Sequence, residues 1–479
     1  MNTVIDTLHG GRRPARTATA PDVRYIIAVP LDSRRTLARG WMWLGLLALI
    51  GSGVFSLLLV LARTPVINAW LPGTDFFRVA LVIHVDLSVL VWFVALAGML
   101  WSLNSAPRST VWNGVALAAC GLGACLMAAS AFFGTGVPIM ANYIPVLDRP
   151  LFLFALLLFG LGAAVLAVHS LWAAPKPGPV IDGQGALQFG LNAAAISAAV
   201  AVGAFVWSYL AVPTTLEGKA YYEILFWGAG HALQFTWTLL MLVAWLALAS
   251  ASGARLAISP RITVLMFALA LVAVFVTPYA YLAHDIASVE HRALLTWAMR
   301  VGGGLAIAPI ALAVVVGLVA APPADAGARP LRAALVWSML LFVAGGAIGI
   351  FISGANVRIP AHYHGCIVGV TLALMGLAYH LLPRLGYSRV DSRLAAIQPA
   401  VYGFGQLMHI TGLVWSGGYG VQRKVAGADQ VLRSAGEIAS MGLMGLGGLV
   451  AIVGGLLFVV VALRALGSRS TPIASGSSP

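Results

Sequence analysis

Twelve long apolar runs separated by short loops limit what this chain can fold into more than any other feature. They cover 38–62, 77–101, 112–135, 150–172, 187–212, 221–249, 261–286, 293–321, 332–354, 361–383, 396–418 and 438–463. About 20 consecutive apolar residues cross a bilayer as a helix, and each run reaches that length. Inside lipid the backbone must satisfy its own polar groups, which leaves helices or closed barrels. The runs are continuous rather than short and alternating, so helices are expected. Charged residues make up 9% of the chain, against about 25% in soluble domains, which excludes a soluble enzyme. The expected fold is an all-α polytopic membrane protein of about twelve transmembrane helices.

The net charge of +13 is spread over short loops, so it marks orientation and anionic lipid rather than nucleic acid. Arg12, Arg13 and Arg16 precede the first run, and further arginines recur at every second loop. Asp75, Asp148, Glu217, Glu290 and Asp429 fall in the opposite loops. The positive-inside rule then places both termini in the cytoplasm. Three divisions follow: a cytoplasmic N-terminal segment 1–36, a membrane domain 37–465, and a flexible cytoplasmic tail 466–479. Cys120, Cys125 and Cys366 lie in apolar runs and form no CxxC, so neither a disulfide framework nor a zinc knuckle is expected.

Five histidines sort by topology. His84 lies early in span two and His231 early in span six, His284 ends span seven, and His362 and His364 open span ten. Odd and even spans run in opposite directions, so all five fall toward the extracytoplasmic side. A lone His in a span often only bonds across a helix interface. Five at one level indicate a ligand or metal site, for which imidazole is a common donor. His362 and His364 are two positions apart, so they point about 200° away from each other on one helix. Each can therefore serve a different centre on its own flank. His169 and His380 sit near cytoplasmic ends and read as structural. His291 is ambiguous, and His409 reads as a supporting or packing residue.

With these motifs the chain resembles the catalytic subunit of the haem–copper oxidase and nitric oxide reductase superfamily, over roughly residues 38–463. Pro360-Ala361-His362-Tyr363-His364-Gly365 is similar to its tenth-helix motif. Ile83-His84-Val85-Asp86-Leu87 is similar to its second-helix ligand stretch, and Trp227-Gly228-Ala229-Gly230-His231 to its sixth-helix metal ligand. Gln406 to Leu413, followed by Arg423-Lys424, resembles the eleventh helix and its trailing basic pair. The resemblance implies two non-covalent haems, expected to be of b type. His84 and His364 would be the axial ligands of a low-spin haem, and His362 the proximal ligand of a high-spin haem. Arg423 and Lys424 would meet the propionates. A non-haem iron or copper would sit over the open haem face on His231, His284 and Asp285.

Two departures bear on the substrate. The family's seventh-helix His-His pair is replaced by His284-Asp285, an imidazole–carboxylate set familiar for non-haem iron. Four residues after His231, where the best-known oxygen reductases carry a redox tyrosine, this chain has Phe235. Coupling two nitric oxides needs two electrons and two protons, whereas complete oxygen reduction needs four electrons. The expectation is therefore a respiratory oxidoreductase of nitric oxide reductase type. A terminal oxygen reductase, with Tyr279 or Tyr281 as its tyrosine, and a non-catalytic haem-bearing scaffold are the alternatives. The chain has neither a CuA-type Cys cluster nor a CxxCH motif. Electrons are thus expected from a small partner subunit with a cupredoxin/CuA or cytochrome c domain, or from a soluble cytochrome c or cupredoxin. The implied location is the bacterial inner membrane, with the metal sites toward the periplasm.

Overall fold

The computed structural model describes residues 23–61, 76–107, 110–176, 178, 181–352, 356–421 and 434–467. Among them are twelve helices of spanning length: α1 (Ser33–Leu61), α2 (Phe76–Asn104), α3 (Thr110–Ala129), α4 (Pro150–Trp172), α5 (Gly183–Ala211) and α6 (Gly218–Ala251). The second half comprises α7 (Pro260–Ala283), α8 (Val289–Val319), α9 (Ala328–Ile350), α10 (Arg358–Leu381), α11 (Arg393–Gly418) and α12 (Ala435–Gly467). All but α11 are long and apolar enough to cross a membrane. In α11 the apolar run is interrupted by Gln398, Gln406 and His409, and the partners of Gln398 and His409 lie inside the bundle. Gln398 accepts from the Tyr379 hydroxyl at 3.0 Å and donates to the Gly454 carbonyl at 3.1 Å. The protein is a multi-pass membrane protein.

Local chemistry sets where helices start and bend. Pro150 and Pro260 occupy first turns, where the missing N–H costs nothing. Asp182, Ser259, Ser288 and Ser392 cap α5, α7, α8 and α11 by accepting a backbone N–H three residues on. Helix α7 breaks at Phe275, four residues after which comes Tyr279; the cause is Pro278, whose ring crowds the Val274 carbonyl and which lacks a donor. Helix α2 contains a π segment, Asp86–Val91, that begins two residues after His84. Such inserted turns are frequent at functional sites.

Burial orders the bundle. In the spanning windows of α6, α10 and α2, 83%, 78% and 67% of residues are buried, against 28–50% in the other spans. The three helices that carry His231, His362, His364 and His84 are therefore the inner ones. Small residues permit the closest approaches. A Cβ on Gly345 would lie 2.5 Å from the Cys366 backbone N, and one on Gly365 would lie 2.6 Å from Gly345 Cα. Helices α9 and α10 thus touch backbone to backbone at the level of the His362–His364 turn. Between α3 and α4 a short hairpin pairs Pro138–Ile139 antiparallel with Val146–Leu147. Its tip, residues 140–145, reaches into the bundle.

Candidate functional site

One cavity of about 2400 Å³ dominates the interior. Ordinary ligand pockets hold about 300–1,000 Å³, so this space suits more than one large ligand. Its lining is mostly apolar, and His84, His231, His362, His364 and His409 all face it.

Each of these rings is oriented by a backbone carbonyl at Nδ1. His84 Nδ1 lies 2.9 Å from the Ser52 carbonyl on α1, and the Ser52 hydroxyl is also 2.9 Å away. His231 Nδ1 lies 2.9 Å from the Trp227 carbonyl, one turn earlier on α6. His362 Nδ1 lies 2.7 Å from the Gly345 carbonyl on α9, and His364 Nδ1 lies 2.8 Å from the Pro360 carbonyl on its own helix. His409 Nδ1 lies 2.9 Å from the Met444 carbonyl on α12. A carbonyl only accepts, so Nδ1 carries the proton in every case and the Nε2 lone pair remains. Metal-binding imidazoles are held in this way, with the outer N–H donated to a carbonyl.

The glycine-lined contact between α9 and α10 positions His362. Gly345 supplies the carbonyl, and a Cβ on Gly349 would lie 2.6 Å from His362 Nδ1, so only glycine leaves room for the ring. On the other flank of α10, Tyr363 stacks on His364 with centroids 4.9 Å apart, and His409 sits 5.0 Å from the same ring. His409 is thus an immediate neighbour of His364 across α10 and α11.

His231 is 5% exposed and has a neighbour that the motif reading did not include. The Tyr143 hydroxyl, from the α3–α4 hairpin, lies 2.8 Å from His231 Nδ1 and 3.3 Å from Nε2. Trp227 meets the Tyr143 ring edge-on at 5.9 Å. Gly230 makes this possible, because a Cβ there would lie 2.2 Å from Tyr143 Cδ1. Burial, with Glu223 adding to it, pushes the Tyr143 phenol well above its ordinary range and keeps it protonated. No periodic or motif signal marks Tyr143, which stands in a loop between Asn142 and Ile144.

His284 and Asp285 are not brought to His231. Span seven was expected to run to residue 286, but the helix ends at Ala283. His284 adopts an extended conformation as its C-cap (φ −138°, ψ 148°). Asp285 is exposed, and its Oδ1 accepts the Ala287 N–H at 2.8 Å. Ser288 then caps α8, so the chain reverses in four residues and neither side chain lines the cavity. The ring on that side of α6 is His291, 1% exposed, with Nδ1 3.3 Å from the Ala280 carbonyl and its edge on Tyr281 at 4.7 Å. Among the described residues, no group of three or more His, Cys, Asp or Glu side chains could hold a metal ion. The donors present therefore do not fit a three-ligand non-haem metal. They do fit haem ligation, which asks for one or two imidazoles per iron and a large apolar space.

The two tyrosines of α7 are also away from the cavity. Tyr281 is bonded to Ser208 at 2.7 Å, and Tyr279 is 60% exposed on the outer surface. Phe235, buried, packs near Gly302 of α8. Arg423 and Lys424 lie outside the described residues.

Comparison with known proteins agrees with the architecture. The sequence model of the family described as "Cytochrome C and Quinol oxidase polypeptide I" matches residues 36–457. The chain belongs to this family, the subunit I family of the haem–copper oxidases. An uncharacterised protein of Rickettsia prowazekii (strain Madrid E) is 28% identical over 497 residues, covering 89% of this chain and 95% of that protein. An uncharacterised protein of Aquifex aeolicus (strain VF5) is 29% identical over 349 residues, covering 72% and 85%. A haem–copper terminal oxidase dimer solved by cryo-EM superposes with a TM-score of 0.70 at 17% identity, over 92% of this chain and 85% of that one. At that identity the likeness defines the fold. Membership in the family makes the chain an oxidoreductase subunit that binds haem.

Proposed function

We propose that this chain is the catalytic subunit of a haem-based nitric oxide reductase, carrying out 2 NO + 2 e− + 2 H+ → N2O + H2O. One observation carries the reading: five cavity-lining imidazoles, each with Nδ1 given to a backbone carbonyl, leave five Nε2 lone pairs for iron or substrate. His84 and His364 are assigned to a low-spin haem and His362 to a high-spin one. When bound, the haems supply electron transfer and an open coordination position. Arg423 and Lys424 are assigned to the propionates.

The protein's own residues do the rest. The carbonyl at each Nδ1 fixes ring orientation and raises the basicity of Nε2. His84 and His364 would together hold a haem that relays electrons, and His362 would hold one that supplies substrate binding. The apolar lining admits a neutral diatomic without a desolvation penalty and excludes bulk water. His231 is one of the polar groups in that space. Phe235, in place of a redox tyrosine, suits a two-electron reaction better than a four-electron one. Electrons enter from a small cupredoxin/CuA or cytochrome c subunit, or from a soluble donor of either kind. The site faces the periplasmic side of a bacterial inner membrane, with both termini cytoplasmic.

A second reading, a haem-bearing subunit without turnover, is favoured by the separation of His284 and Asp285 from His231. Anaerobic assay of the purified protein with a reduced donor and NO, followed by O2, separates the readings. N2O formation supports the reductase. Oxygen consumption without N2O replaces it with a terminal oxidase. Haem content with neither activity leaves the non-catalytic subunit.

A further inference from the structure

We propose that Tyr143 is the distal hydrogen-bonding residue of the small-ligand pocket: its hydroxyl, paired with His231, donates to a diatomic bound on the face that His362 leaves open. The inference rests on the assignment of His362 above and adds a residue from a different part of the chain.

Three features argue that Tyr143 is built into the site rather than packed near it. First, its hydroxyl lies between the two ring nitrogens of His231, at 2.8 and 3.3 Å, and both residues line the cavity that His362 also faces. The Nδ1 proton of His231 is already shared with the Trp227 carbonyl, so the imidazole does not consume the phenolic proton through that nitrogen. Second, Gly230 is kept without a side chain directly under the ring, and Trp227 closes it edge-on. Third, the hairpin tip is tied to α6 at the adjacent residue, where Asn142 Nδ2 donates to Glu223 Oε2 at 2.5 Å. The loop is thus anchored to the helix that presents His231, eight residues before it. A buried phenol in such a frame offers a fixed O–H at the point where charge develops on a reducing ligand, the position in which an oriented donor is most effective.

Because His284 and Asp285 lie away from the cavity, the polar partner of the open haem face is a phenol–imidazole pair contributed by the α3–α4 hairpin and α6. This fits the small size of the substrate. One donor and one imidazole suffice to orient a diatomic, and the surrounding wall is mostly apolar.

The test is infrared spectroscopy of CO added to the reduced, haem-loaded protein. In the wild type the C–O stretch should shift when H2O is exchanged for D2O, since the donor is an exchangeable O–H. In Tyr143→Phe the stretch should move to higher frequency and lose its isotope sensitivity. Gly230→Ala, which displaces the ring without removing the hydroxyl, should change the band in the same direction. Tyr222→Phe, elsewhere on the cavity wall, should leave it in place. The low-spin haem spectrum reports that the variants are folded. A wild-type band without isotope sensitivity overturns the inference without any variant. An unmoved band in Tyr143→Phe overturns it while leaving the His362 assignment intact. Absence of any CO-binding haem in the wild type overturns both.

Discussion

Replacing Gly345 by Ala tests the reasoning most directly, because Gly345 touches no substrate and no cavity-facing atom is altered. The added Cβ would lie 2.5 Å from the Cys366 N and 2.8 Å from the Gly365 carbonyl carbon, whereas non-bonded contacts settle at about 3.5–4.0 Å. Both obstacles are backbone, so a rotamer change cannot relieve the clash, and α9 and α10 must part by about 1 Å or more. The Nδ1–O distance between His362 and Gly345, now 2.7 Å, would open to about 3.7 Å, beyond the 3.2 Å limit of an N–H···O bond. Losing such an outer contact to a metal-binding His lowers affinity about 10–100-fold, or about 1.4–2.7 kcal/mol. Overpacking adds about 1–3 kcal/mol against the fold. His364 takes its carbonyl from Pro360 on the same helix, so its orientation travels with α10. The expected result is selective: the CO-binding haem is depleted while the bis-His spectrum persists. Haem-to-protein ratio and CO-difference spectra on one preparation read both. A variant that retains both haems with unchanged CO binding would refute the claim that the α9–α10 contact positions His362.

Further expectations follow from the same geometry. His84→Ala should abolish the low-spin spectrum and leave CO binding in place; loss of both haems would mean that His84 does not act on one haem alone. His284→Ala and Asp285→Ala should leave haem content and bound metal unchanged by elemental analysis, and loss of a metal on either substitution would restore them as ligands. Gln398→Leu strands the Tyr379 hydroxyl in the interior, at about 1–3 kcal/mol, while the Gly454 carbonyl keeps its intrahelical partner, and should lower the thermal midpoint in detergent. An unchanged midpoint would show that these bonds contribute nothing net.

Much of the fold was legible because a membrane helix is specified by a local property. Length and hydropathy of each run marked all twelve long helices, eleven of which are apolar enough to cross a membrane, and the four histidines expected at one level, His84, His231, His362 and His364, line one cavity. The ends were less legible. Span seven was expected to continue to residue 286, but the extended His284 and the capping Ser288 end the helix at Ala283 and reverse the chain. Apolarity does not report that turn, since Ile286 beyond it is as hydrophobic as Leu282 and Ala283 at the end of the helix.

The sequence by itself determined the class of fold, the order of the long helices and which imidazoles fall on the helices that line the cavity. These depend on residues near one another in the chain and on the length of a bilayer. Only the tertiary structure decided what each ring can do. The carbonyls that hold His84, His362 and His409 come from Ser52, Gly345 and Met444, between 17 and 35 positions away. Tyr143 reaches His231 across 88 positions. A hydrogen bond needs its partners within about 3 Å, and distance along the chain says nothing about that until the helices have packed.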